Sequence, residues 1–67
     1  MTKTEIFAII KDANKLVDAM QGLSTNSEEY NNLNESLGWT LDNLMLGKQK
    51  WYTLHLSKKT GHYYVTF

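Results

Sequence analysis

The chain has 67 residues, seven lysines balanced by seven acidic side chains, and no Arg, Cys or Pro. That length allows one domain and excludes a dinucleotide-binding βαβ fold carrying its own substrate site, and the missing cysteines exclude a disulfide framework or a thiolate metal site. At 42% hydrophobic and 12% aromatic the chain is no disordered tail, and the lack of a long apolar run or a secretion-type N-terminus leads us to expect a small, soluble, cytoplasmic domain with no membrane contact.

The first helix is well signalled. Thr2 and Glu5 have capping-box spacing, and Met1 with Ile6 is placed as a hydrophobic staple. Ile6, Ile9, Ile10, Ala13, Leu16, Val17 and Met20 recur at helical spacing, with Lys11, Lys15 and Asp18 outside their arc. Gly22 can end the helix in a left-handed conformation, with Leu23 folding back onto Val17. The pattern predicts a helix over about residues 3–21.

Ser24-Thr25-Asn26-Ser27 is a run of capping residues, and Glu28 and Glu29 follow where a helix dipole favours acids. Tyr30, Leu33, Leu37, Leu41, Leu44 and Met45 share a second apolar arc, and Gly47-Lys48 is a plausible stop. Gly38 weakens a helix by about 1 kcal/mol relative to Ala. Leu37 and Leu41 stay in phase across it, so one helix, continuous or kinked, is expected over about residues 26–46.

The rest reads as strands. Trp51 to Leu56 and His62 to Phe67 alternate and are rich in β-favouring types. A loop from Lys58 to Gly61 pairs Ser57 with His62. It then sets Leu56 opposite Tyr63, Leu54 opposite Val65 and Tyr52 opposite Phe67, all on one apolar face. A loop one residue shorter would split that face. Gly61 supplies the left-handed position of such a turn. The predicted architecture is α+β in the order α-α-β-β. Two helices cover one hairpin face, and both strand edges are free for a homodimer or for an added partner strand.

The zero net charge is an average over unlike regions. No base occurs between Leu16 and Gly47, while Asp18, Glu28, Glu29, Glu35 and Asp42 do. No acid follows Lys48, while Lys48, Lys50, Lys58 and Lys59 are joined there by His55 and His62 and by Trp51, Tyr52, Tyr63, Tyr64 and Phe67. Such asymmetry steers partners, although the two regions also suit simple mutual attraction or solvation.

Two sets of side chains remain once the core is filled. Trp51, Thr53, His55, His62, Tyr64 and Thr66 fall on the second hairpin face, which the helices cannot also cover. The alternative for Trp51 is folding over the sheet edge. Trp39 lies opposite the leucine arc of a continuous helix, beside Glu28, Glu35 and Asp42, with Leu46 further along the same side. The alternative is that Gly38 breaks the helix and Trp39 turns inward. Trp51, His55, His62, Tyr64, Trp39, Glu35 and Asp42 are therefore the candidate partner-binding residues.

Enzymatic chemistry is not assembled. His55 and His62 lack further metal ligands on the hairpin, and Thr53 and Ser57 near His55 lack an orienting acid. Glu28, Glu35 and Asp42 repeat every seventh residue, which makes a solvated stripe rather than a paired-carboxylate site. No glycine-rich phosphate loop occurs. No cofactor, no metal and no enzymatic activity are expected.

Nucleic-acid binding is the rival. Lys48, Lys50, Lys58 and Lys59 alternate with aromatic residues suited to base stacking. The order of helices then hairpin, and the Leu37-Gly38 pair, resemble small Cro-type phage repressors. That resemblance implies a helix-turn-helix at Leu37-Gly38-Trp39 whose second helix, Thr40 to Leu46, reads DNA. This segment carries Asp42 and no base, and the chain has no Arg for guanine or phosphate forks. The expectation is a non-enzymatic protein-binding module that docks on a larger host protein and occludes it. A chain rich in Lys and Asn without Arg points to an AT-rich genome and so to a phage or mobile-element inhibitor or modulator.

Overall fold

The computed structural model describes residues 2–45 and 51–67. Its elements are α1 (Lys3–Met20), α2 (Glu28–Met45), β1 (Thr53–Leu56) and β2 (Tyr63–Thr66), the predicted α-α-β-β order. The helices pack on each other and on one face of the antiparallel hairpin. The staple residue Met1, the stop at Gly47, and Leu46, Lys48 and Lys50 lie outside the described residues.

α1 starts as the capping box dictates. The Thr2 hydroxyl accepts from the Glu5 amide at 3.2 Å, and the Glu5 carboxylate accepts from the Thr2 amide at 3.3 Å. Two of the four orphan N–H groups of a helix start are the ones such a box can satisfy locally. At the other end Gln21 is extended (φ −64°, ψ 132°) and Gly22 has φ +83°. Leu23 donates its amide to the Met20 carbonyl at 3.2 Å. These angles are those of a type II turn, which needs glycine at its third position.

Ser27 caps α2, its hydroxyl accepting from the Tyr30 amide at 3.1 Å, with Glu28 and Glu29 in the first turn. The helix runs unbroken through Gly38. The helix-turn-helix implied by the Cro-type resemblance is thus corrected: no turn forms at Leu37-Gly38-Trp39. The leucines on either side hold one continuous stripe against α1, and burying it outweighs the small cost of an interior glycine.

The hairpin has the predicted register: Thr53 opposite Thr66, Leu54 opposite Val65, His55 opposite Tyr64 and Leu56 opposite Tyr63. Ser57 donates to His62 at 2.9 Å and accepts from Gly61 at 2.8 Å, and Gly61 has φ +76°.

The core is a continuous seam. Ile6, Ile10, Leu44 and Tyr52 form one end, and Ala13, Leu37 and Leu41 the other. Leu54 and Tyr63 pack on both. The Tyr52 hydroxyl donates to the carbonyl of Leu44 in the last turn of α2, where helix carbonyls lack intrahelical donors. This bond lets a tyrosine be buried and ties the start of the hairpin to the end of α2.

Two expectations about the inner hairpin face need correction. Phe67 follows β2 and is 52% exposed, packed edge-on against Phe7 of α1 rather than entering the core. Leu56 is on the predicted face yet 54% exposed, because it overhangs an open cleft between the helices.

Candidate interaction surfaces

The outer face of α2 is the first surface. Straight passage through Gly38 carries Trp39 to the solvent side, where it is 65% exposed. Glu35 and Asp42 are exposed one turn before and after it, the i−4 and i+3 neighbours of a helix. α2 contains no basic residue. An indole flanked by carboxylates offers a broad apolar plane inside a negative field, which favours a cationic counterpart.

The outer hairpin face is the second. His55 and Tyr64, paired across the strands, stack with ring centroids 4.8 Å apart and planes 14° from parallel. His55 Nε2 lies 2.8 Å from the Thr66 hydroxyl, a diagonal contact that restrains the ring. Tyr64 remains 47% exposed.

The structure does not bring the other two expected members to this face. His62 reaches over the edge of β2 to α1, its Nε2 2.6 Å from the Asp18 carboxylate. It lies just before β2, so strand alternation does not dictate its direction, and a carboxylate within reach does. Trp51 precedes β1 and stacks on Phe67 (5.3 Å, 28°), with Tyr52 edge-on at 5.9 Å. With Phe7, and with Lys3 Nζ 4.8 Å above the Phe67 ring, it forms an aromatic cluster at the open end of the hairpin. The expected single aromatic face is therefore two separate groups. The histidines hold different partners on different elements, and no three metal-binding side chains gather among the described residues.

A third surface is the cleft beneath Leu56. It encloses ≈ 380 Å³ and is lined by Val17, Met20, Tyr30, Leu37, Leu56 and Tyr63 among others. Sequence reasoning missed it because each of these residues fits its apolar arc. Only the spread between helices and hairpin leaves space between them. It also missed Phe7 and Asn14. Phe7 stands off the leucine-isoleucine arc and gave a signal that went unused. A mid-helix Asn gives no comparable signal.

Of the lysines weighed for nucleic acid, Lys58 and Lys59 are exposed in the hairpin turn. No helix among the described residues is long and apolar enough to cross a membrane. Compared with known proteins, the chain matches no family model, and neither a curated protein nor a solved structure shows significant similarity to it.

Proposed function

We propose that the protein is a non-enzymatic protein-binding module that docks the Trp39 face of α2 on a larger partner and occludes it. The observation that carries this reading is Trp39 itself, 65% exposed at the centre of a well-formed helix. A solvated tryptophan gains nothing for folding, while tryptophans dominate the contact energy of protein interfaces. Glu35 and Asp42 set register and speed the approach of a basic partner surface. His55 and Tyr64 offer a second contact plane.

The Lys- and Asn-rich, Arg-free composition supports a phage or mobile-element inhibitor acting in the host cytoplasm. We take the working form to be a homodimer, since the β1 edge is open among the described residues and a chain this small, with no cysteine to staple it, buries little core. The nucleic-acid alternative rests on Lys58 and Lys59 beside the aromatic hairpin. Oligonucleotide retention that falls steeply with salt would favour it instead.

Affinity capture from a host lysate is the test. Trp39→Ala should lower partner recovery about tenfold or more, the effect of losing a hot-spot aromatic. Glu35→Lys with Asp42→Lys should slow association. Unchanged recovery in both variants would remove the α2 face as the docking site.

A further inference from the structure

We propose that a second copy of this chain adds to the outer edge of β1. The pairing is antiparallel and centred on His55, and it gives a sheet in the order β2-β1-β1-β2. The inference rests on the dimer reading above and specifies its contact and register.

The two edges of the hairpin are not equivalent. Ser57 donates an inward hydrogen bond to the His62 carbonyl, so by strand alternation His55 and Thr53 also point their peptide groups inward. The N–H and C=O groups of Leu54, Leu56, Tyr63 and Val65 must point outward, so Asn14 blocks the β2 edge at Tyr63 and leaves only Val65 there. At Tyr63 both are taken: its amide donates to Asn14 Oδ1 at 2.7 Å, and its carbonyl accepts from Asn14 Nδ2 at 3.0 Å. The side-chain amide of α1 thus stands where a neighbouring strand would be. At Leu54 and Leu56 the outward groups have no hydrogen-bond partner among the described residues. β1 also contains no charged residue and no Pro, the usual devices that keep an edge from pairing.

A two-fold axis at His55 fits this edge to itself. Leu54 of each copy then exchanges both backbone hydrogen bonds with Leu56 of the other, which uses every outward group of the strand. The half-exposed Leu56 side chain lands over Leu54 of the second copy, on the apolar face. Centring the axis on Leu54 or Leu56 would instead demand Tyr52 or Lys58 as a pairing residue, and neither lies in β1.

Exposed apolar surface and charge agree with a second copy as occupant: Leu56, 54% exposed in the single chain, is covered by the pairing. The formal net charge is zero, so two copies do not repel as wholes.

Sedimentation and paired charge variants test the register. The wild-type chain should dimerise at micromolar concentration. His55→Lys and His55→Glu each set like charges opposite each other on the axis and should weaken self-association about tenfold or more. Mixing the two variants should restore dimers, which loss of folding cannot mimic. In this cysteine-free chain His55→Cys should crosslink between copies on oxidation, because directly opposed Cα atoms about 4.5 Å apart suit a disulfide. Ser57→Cys should not. A monomeric wild-type chain, or dimers indifferent to both charge variants, would overturn the proposal. So would a crosslink at position 57 instead of 55. Partner capture with Trp39→Ala is read separately, so failure of the docking face and failure of the dimer are told apart.

Discussion

Gly38 and Gly61 show how one residue type carries opposite meanings. Gly38 has helical backbone, and an added Cβ would meet nothing within 4 Å. Gly38→Ala should therefore stabilise the protein by about 0.5–1 kcal/mol, by removing chain entropy from the unfolded state. Gly61 has φ +76°, a conformation that costs an L-residue about 1 kcal/mol or more, so Gly61→Ala should lower stability. Thermal unfolding of the two variants should shift in opposite directions. Leu44, 1% exposed, belongs to the same scale. Leu44→Ala should cost about 2–5 kcal/mol, a large share of what a chain this small possesses. Trp39→Ala should change the unfolding free energy from denaturant titration by less than about 0.5 kcal/mol, which separates a residue kept for contact from one kept for folding.

At the scale of elements, Asn14 is the joint between the helical layer and the sheet. Its amide satisfies a strand edge that would otherwise be open to pairing, and it does so from the middle of α1. Asn14→Ala leaves the Tyr63 peptide groups without their partner and should cost about 1–3 kcal/mol. Hydrogen exchange should report it locally, with the Tyr63 amide losing protection before the α1–α2 core does. His62 and Asp18 lie just beyond this joint, but both are substantially solvated. Pairs of that kind contribute about 0–1 kcal/mol and follow the docking of the hairpin rather than cause it. The capping signals and the hairpin register were legible in the residues because each depends on neighbours within one element. Asn14 was not, since its role needs a strand brought in from 49 positions away.

For the whole molecule, the charge segregation of the sequence becomes spatial separation. The acidic Trp39 face lies on α2, while Lys58 and Lys59 stand in the hairpin turn. The third face, along β1, is uncharged. The docking face proposed on α2 and the self-pairing edge proposed on β1 thus lie on different elements. The aromatic residues follow the same partition: Trp39 stands alone, His55 and Tyr64 stack on the sheet, and Trp51 joins Phe67 and Phe7 at the open end.

Periodicity, caps and turn glycines determined the two helices, the hairpin and its pairing, because these rest on local sterics and on alternation between core and solvent. They left open whether Trp39 faces outward, and the unbroken passage of α2 through Gly38 decided it. Tertiary structure alone decided where His62, Trp51 and Phe67 go, since all three lie just outside β1 and β2 and take direction from whatever side chain is nearest. It also decided that the edges of the hairpin differ. α1 packs over β2 and caps Tyr63 with Asn14, which leaves β1 as the strand whose outward groups are all without a partner among the described residues.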